Sequence, residues 1–147
     1  MKTYEELLEK LSENNIKYIL VGGLAVDLCG FSRATEDVDI LIESSKENIN
    51  SLLKCLESFG EGSAKELKIE DFTPEEGCIR INEDFPLDIF TIMTGNTYND
   101  LLPYSEIFIT ENKIEIRYLN KEGLIKLKKH SVRPKDQLDV KELKRLK

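Results

Sequence analysis

The sequence predicts an α+β fold in which helices flank a mixed β-sheet, and two observations carry this prediction. Short apolar runs rich in β-formers are interspersed with segments of helical periodicity, and the two kinds of segment do not alternate strictly. The chain of 147 residues has a hydrophobic fraction of 40% and a charged fraction of 33%, which suits one folded domain over residues 1–147. No apolar run approaches the roughly 18 residues that span a bilayer, so no membrane partner is expected.

The first half of the chain is predicted to contain three helices and two strands. Gly22 and Gly23 end the first strand and lead directly into a short helix, and Ser45 is a suitable N-cap for a longer one. The helices are expected at residues 3–12, 24–29 and 46–59, and the strands at residues 16–21 and 38–42.

The second half is predicted to add five strands and two helices. The run PLDIFTIM is strongly apolar, and the last two strands are expected to pair as a hairpin across Glu111-Asn112. Pro134 is favourable in the first turn of the final helix. The strands are expected at residues 67–72, 77–81, 86–93, 108–110 and 113–118, and the helices at residues 123–129 and 134–146.

Charge is distributed unevenly along the chain. The net charge is −7, but residues 121–147, the basic helical tail, hold ten Lys and Arg against four Asp and Glu, so the rest of the chain carries −13. Such a tail favours an anionic ligand nearby, although a solvated helix face would have the same composition. The three cysteines form no CxxC pair and residues 1–6 lack an apolar signal segment, so a cytoplasmic location is expected.

Gly22 and Gly23 are the first candidate site residues. Two glycines between a strand and a helix allow the backbone to approach a bulky anion, and the N–H groups behind them are free to bind phosphate oxygens. The same dipeptide also serves as a plain tight turn, so the feature is weak by itself.

Three aspartates are the candidate metal ligands. Asp37 and Asp39 point to the same face of the second strand, and their mutual repulsion is relieved if they are solvated or if a divalent cation such as Mg²⁺ binds them. Arg33 is a candidate counter-charge four residues before Asp37. Asp88 lies within an apolar strand, where it needs a partner, which is a shared metal ion, an arginine or a nearby backbone group that it caps.

The order of these features resembles that of the nucleotidyltransferase (DNA polymerase β-like) superfamily. Val21-Gly22-Gly23, a spacer of thirteen residues, Asp37-Val38-Asp39 and the later Asp88 match its Gly-Gly, Asp-apolar-Asp and third-acid pattern. Residues 30–37, GFSRATED, resemble the G-x-x-R-x-T-x-D run of a small bacterial branch. That branch includes AbiEii-type toxins, minimal nucleotidyltransferases and lincosamide nucleotidyltransferases.

The basic helical tail carries a second part of the resemblance. LIKLK at residues 124–128, RPKD at residues 133–136 and Asp139 resemble the L-I-x-x-K…R-x-K-D…D segment of that branch. In its toxin-like members the matching lysine, here Lys128, approaches the triphosphate. The resemblance therefore covers residues 16–143.

The resemblance implies a Mg²⁺-dependent enzyme that transfers a nucleoside monophosphate from a nucleoside triphosphate to a hydroxyl group and releases pyrophosphate. Asp37 and Asp39 would hold two Mg²⁺ ions, and Asp88 would share the catalytic ion and help to deprotonate the acceptor. The residues implied to bind the nucleotide, ATP among the candidates, are Gly22, Gly23, Arg33, Thr35 and Lys128.

The sequence leaves the acceptor open. A tRNA would suit the basic helical tail, whereas a protein acceptor, such as a cognate toxin in a toxin–antitoxin or phage-defence system, would suit the acidic body. A small molecule is a third class, although antibiotic-modifying relatives are expected to carry a further domain for which this chain has little room. The alternative to an enzyme is a catalytically silent module of the same fold that binds a nucleotide or a partner protein.

Overall fold

One six-stranded sheet organises the part of the chain that the computed structural model describes, namely residues 4–30, 37–59, 62, 64–73, 75–82, 85–129 and 133–146. The strands are β1 (Tyr18–Val21), β2 (Val38–Ile42), β3 (Cys78–Asn82), β4 (Pro86–Phe90), β5 (Ser105–Ile109) and β6 (Glu115–Leu119). Their spatial order is β3-β4-β2-β1-β6-β5. Parallel pairs (β1 with β6, β2 with β4) and antiparallel pairs (β1 with β2, β3 with β4, β5 with β6) both occur, which confirms the α+β prediction.

Six α-helices accompany the sheet in the described residues. They are α1 (Tyr4–Glu13), α2 (Gly22–Leu28), α3 (Lys46–Glu57), α4 (Tyr98–Leu101), α5 (Lys121–Lys128) and α6 (Pro134–Arg145). The Ser45 side chain caps α3 by accepting a hydrogen bond from the Asn48 amide, as predicted, and Asn120 caps α5 in the same way. None of these helices combines the length and the hydrophobicity required to cross a bilayer.

The core forms where the helices bury the central strands. All four residues of β1 are buried, and in β2 every residue except Asp39 is buried. Helix α1 packs against α3 and β6, whereas α2 packs against β1, β2 and α5. Asp39 is the polar residue of β2, and apolar residues surround it. A carboxylate in such a position is costly unless it has a partner.

The predicted strand at residues 67–72 is wrong. The chain forms a short 3₁₀-helix at Ile69–Asp71 instead. The Asp71 carboxylate accepts a hydrogen bond of 2.9 Å from the backbone amide of Lys68, which closes the turn. A local bond from a side chain to the backbone competes here with strand pairing, so the apolar alternation is misleading.

Strand β4 ends three residues before the predicted limit of the run at residues 86–93. The backbones of Met93 and Asn96 exchange two hydrogen bonds, of 2.9 and 2.8 Å, around Thr94 and Gly95. Both central residues have positive φ values, of 50° and 76°, as in the tight turns that join antiparallel strands. This turn redirects the chain at the rim of the sheet.

The remaining differences are small. The predicted hairpin across Glu111-Asn112 is confirmed by the antiparallel pair β5–β6, and α2 begins at Gly22 rather than after the two glycines. Helix α4 was not predicted. Its signal was Thr97 followed three residues later by Asp100, which form a capping box.

Candidate active site

Four neighbouring strands bring one row of residues together on one side of the sheet. In the strand register Asp39 lies opposite Val21 of β1, beside Asp88 of β4, and Arg80 of β3 lies opposite Asp88. Residues that are paired directly across strands project to the same side, so Asp39, Asp88 and Arg80 share a face. Asp37 joins this face two residues before Asp39.

Asp39 is the carboxylate with the most perturbed environment in this row. Burial is the main cause that raises its pKa to about 7, and the carboxylates of Asp88 and Asp37 add to the effect. Lys128 acts in the opposite direction. The negative charge of Asp39 is therefore poorly compensated, which is the condition under which a bound cation is most stabilising.

Asp88 and Asp37 are bridged by the guanidinium group of Arg80. The Nε and Nη2 groups of Arg80 each donate a hydrogen bond of 2.8 Å to Asp88, one to each carboxylate oxygen. Nη2 also donates to Asp37 Oδ2 at 3.3 Å. The hydrogen bonds from Arg80 to Asp88 lower the pKa of Asp88. This carboxylate is therefore ionised, and it is a weak proton acceptor while Arg80 holds it.

Lys128 enters the same region from the end of α5. Its Nζ group donates to Asp136 Oδ1 at 3.0 Å and to Asp139 Oδ2 at 2.9 Å, both on α6. The Lys128 side chain is 14% exposed and that of Asp139 is fully buried. The two ion pairs join α5 to α6 within the basic helical tail and fix the position of the lysine.

A pocket of about 400 Å³ joins these groups. The sequence-predicted residues that line it are Gly22, Gly23, Asp37, Asp39, Asp88 and Lys128. Arg33 and Thr35, the other two predicted nucleotide ligands, lie outside the described residues. Residues far apart in sequence are thus gathered around one cavity, as expected for a ligand site.

Sequence reasoning missed Arg80, which also lines the pocket. The strands at residues 77–81 and 86–93 were predicted correctly in outline, but their pairing was not considered. If the two strands pair as a hairpin, Arg80 lies opposite Asp88. This register is the sequence signal that identifies Arg80 as a site residue. Of the three kinds of partner predicted for Asp88, the arginine is therefore present.

The candidate metal ligands are not arranged for ligation in advance. Among them, no three His, Cys, Asp or Glu side chains are arranged as a ready metal cluster. Asp37 and Asp88 both point to the guanidinium of Arg80, which occupies the position between them. The oxygen donors for a hard cation are present, but they are directed toward an arginine.

Gly22 makes room for Asp39, and its replacement by alanine should therefore be costly. Gly22 has a φ of +71°, and an added Cβ would overlap Asp39 Oδ2 and lie 2.9 Å from Asp39 Cγ. We expect Gly22→Ala to lower the free energy of unfolding by about 3 kcal/mol, through backbone strain and this clash. Chemical denaturation measures the change.

Gly95→Ala is the matched control for that variant. Gly95 has a similar φ of +76° with no atom within 4 Å of the added Cβ, so only the backbone term of about 1–2 kcal/mol remains. Equal losses in the two variants would mean that contact with Asp39 adds nothing.

The raised pKa of Asp39 predicts a particular dependence of stability on pH. The folded protein retains the Asp39 proton up to about pH 7, whereas the unfolded chain releases it near 3.8. The folded state therefore binds more protons between these values, and the free energy of unfolding should fall with rising pH, by about 2 kcal/mol over this window. Denaturation curves from pH 4 to pH 8 in the presence of a chelator measure it.

Asp39→Asn isolates this contribution. The variant has no proton to release at this position, so its stability should lack the decline seen in the wild type. If the free energy of unfolding changed with pH in the same way in both proteins, the pKa of Asp39 would not be raised and the prediction would be wrong.

Comparisons with known proteins identify similar chains. The family model described as "Nucleotidyltransferase of unknown function (DUF6036)" matches residues 1–146. The crystal structure of the lincosamide antibiotic adenylyltransferase LnuA with bound lincomycin aligns over 98% of this chain and 96% of that chain, with 18% identity and a TM-score of 0.65. A candidate nucleotidyltransferase from Thermotoga maritima aligns over 97% of this chain and 88% of that chain, with 15% identity and a TM-score of 0.60. The search of curated protein sequences gave no match.

Proposed function

Because this chain belongs to the nucleotidyltransferase family DUF6036, we propose that it transfers a nucleoside monophosphate from a nucleoside triphosphate to a hydroxyl acceptor in a Mg²⁺-dependent reaction. The acceptor oxygen forms a bond to the α-phosphorus. The bond between the α-phosphorus and the oxygen that links it to the β-phosphorus breaks, and pyrophosphate leaves. The observation that carries the proposal is the convergence of three aspartates, a glycine turn and a lysine on one pocket.

The donor set of the pocket fits Mg²⁺. The candidate ligands Asp37, Asp39 and Asp88 are carboxylates, and burial together with the neighbouring acids raises the pKa of Asp39, so a bound cation would stabilise its ionised form. A divalent ion held there, or the two that the superfamily resemblance implies, would stabilise negative charge on the attacking and leaving oxygens. Arg80 must give up part of its contacts before the carboxylates can turn to such an ion.

The phosphates are proposed to bind on the glycine side of the pocket. Gly22 and Gly23 present backbone without side chains, with Gly22 next to Asp39, and Lys128 brings positive charge to the same pocket. Arg33 and Thr35 remain predicted nucleotide ligands. Backbone amides and a fixed ammonium group together would neutralise a triphosphate and orient its α-phosphorus.

The two central carboxylates differ as proton acceptors. The pKa of Asp88 is lowered by Arg80, whereas the pKa of Asp39 is raised by burial. Asp88 can help to deprotonate the acceptor only when Arg80 no longer holds both of its oxygens, because the bound guanidinium stabilises the ionised form. The position of Arg80 therefore bears directly on activity.

A macromolecular acceptor, a protein or a tRNA, is our first proposal. The basic helical tail borders the pocket, and Arg133, at its rim, has a side chain that is 71% exposed. Exposed cations beside the reaction centre would bind the phosphates of a tRNA or the acidic surface of a partner protein. A cognate toxin or antitoxin is the kind of protein acceptor proposed.

A small-molecule acceptor is the second candidate. The LnuA chain, which was crystallised with lincomycin, aligns over 96% of its length, so this drug-modifying relative has no further domain. The expectation that such relatives need one is wrong in this case. The pocket also has an apolar wall that includes Phe90, Met93 and Leu127, which would suit the carbon skeleton of a small acceptor.

The alternative to an enzyme within this fold is a catalytically silent module that binds a nucleotide or a partner protein. All three aspartates are present, which disfavours it. A module of this kind would be stabilised by nucleotide and Mg²⁺ against thermal unfolding but would transfer no label.

Label transfer with acceptor analysis tests the proposal. The protein is incubated with Mg²⁺ and each α-³²P-labelled nucleoside triphosphate, with cell extract or lincomycin as the acceptor. Labelled product that disappears with ribonuclease identifies an RNA, loss with protease identifies a protein, and labelled lincomycin identifies a small molecule. Absence of label with every nucleotide and acceptor would favour the silent module.

A further inference from the structure

Arg80 places a positive charge among the three carboxylates of the site, Asp37, Asp39 and Asp88. It lies in the middle of β3, directly opposite Asp88 in the strand register, so its side chain is directed across the row. Its Nη2 group contacts both Asp88, at 2.8 Å, and Asp37, at 3.3 Å. A divalent cation bound by Asp37 or Asp88 would have to compete with this guanidinium for their carboxylate oxygens.

The two contacts of Arg80 differ in strength. The Asp88 carboxylate is 7% exposed and is held by two short hydrogen bonds, whereas the Asp37 side chain is 44% exposed and is held by one long bond. A solvated bond of 3.3 Å exchanges far more easily than a pair of short, shielded, charge-assisted bonds. Asp37 is therefore the acid that Arg80 can release.

The row is still short of positive charge while Arg80 is in place. Asp37, Asp39 and Asp88 carry up to three negative charges on one face, and the guanidinium binds only the first and the last of them. Asp39 lies in β2 between β1 and β4, and within the described residues the hydrogen bonds of Arg80 go to Asp88 and Asp37. A second cation would be attracted to this face, and the guanidinium would repel it.

We propose that Arg80 is a counter-ion that competes with the divalent cation for Asp37 and that passes to the nucleotide once the cation is bound. This inference rests on the proposed function. Asp37 exchanges the guanidinium for the cation, and the Nη2 hydrogen that it releases is donated instead to a phosphate oxygen at the pocket, while the two short bonds to Asp88 are kept. Arg80 would thus make binding of metal alone weak and binding of the metal–nucleotide complex strong.

The proposal predicts opposite effects on two ligands when Arg80 is neutralised. In Arg80→Gln, Mg²⁺ alone should bind about tenfold more tightly, because a repelling charge is removed. A nonhydrolysable ATP analogue at saturating Mg²⁺ should bind about tenfold more weakly, because a charge-assisted bond to phosphate is lost. Isothermal titration calorimetry measures both affinities on the full chain, and thermal unfolding checks that the variant is folded.

Two further variants serve as controls. Arg80→Lys keeps the charge and should leave the affinity for Mg²⁺ alone close to that of the wild type. Arg145→Gln removes a surface charge on α6 that pairs with Glu142, and it should change neither affinity.

The outcomes separate this inference from the function on which it rests. Weaker binding of both ligands in Arg80→Gln would overturn it, since Arg80 would then only hold Asp88 in position for the metal. Unchanged affinities would overturn it as well. If the wild type binds no nucleotide with Mg²⁺, or if Asp37→Asn/Asp39→Asn binds it equally well, the proposed function itself fails.

Discussion

Asp39→Asn should abolish nucleotide transfer and leave the protein folded. The substitution removes a candidate metal ligand from the centre of the carboxylate row while keeping the size of the side chain. We expect the rate of transfer to fall by about 10³-fold or more, because the cation that stabilises the departing pyrophosphate would lose a ligand. Mg²⁺-dependent binding of a nonhydrolysable nucleotide should be lost in parallel.

The same variant should be more stable than the wild type at pH 8. The negative charge of Asp39 is unfavourable in its half-buried site, because its pKa is raised to about 7 by burial and neighbouring acids. Removing that charge should raise the free energy of unfolding by about 1–2 kcal/mol, because the site is partly open to solvent, which screens the charge. A gain in stability with a loss of activity is typical of a functional residue.

Asn48→Ala is a useful comparison for the Asp39 result. Asn48 is buried and its side chain bonds to the backbone of Lys17 and Glu43, away from the pocket. This variant should be less stable than the wild type and should retain transfer activity in its folded fraction. If Asp39→Asn behaved in the same way, the carboxylate would be structural and the proposed site would be wrong.

Lys128→Met should reduce both stability and activity. The lysine pairs with Asp139, whose side chain is fully buried, and the substitution would remove this ion pair from a buried carboxylate. We expect the free energy of unfolding to fall by about 3 kcal/mol, which is the usual consequence of breaking a buried ion pair from one side. Transfer should fall by about 10²-fold, because the ammonium group would no longer stabilise the triphosphate.

A double variant separates these two effects of Lys128. Lys128→Met/Asp139→Asn removes both charges, so most of the lost stability should return while transfer remains low. Lys129→Met, at the exposed neighbouring position, is the matched control and should change neither stability nor transfer by much. Recovery of transfer in the double variant would show that Lys128 acts only by holding α6 in place.

Much of the fold could be predicted because its signals are local. Ser45 caps α3 through its own side chain, and the apolar runs of β1 and β2 are continuous because both strands are buried at the centre of the sheet. The segment at residues 67–72 could not be predicted in this way. There the Asp71 carboxylate accepts a hydrogen bond from the Lys68 amide and favours a turn over a strand, and periodicity does not detect such a local bond.

The candidate site was only partly visible in the sequence. Two short motifs, Gly22-Gly23 and Asp37-Val38-Asp39, are contiguous in the sequence. Their spacing is therefore enough to predict a phosphate-binding and metal-binding role. Arg80 has no motif of its own and becomes a site residue only through the register of β3 against β4. The partners of Lys128 on α6 likewise depend on how two helices pack, which spacing alone does not fix.

Label transfer by the wild type and by Asp37→Asn/Asp39→Asn tests the central claim most directly. Both proteins are incubated with Mg²⁺, an α-³²P-labelled nucleoside triphosphate and cell extract, and labelled products and released pyrophosphate are quantified. The account predicts Mg²⁺-dependent label and stoichiometric pyrophosphate with the wild type and neither with the double variant. Label that persists at an equal rate in the folded double variant would contradict it.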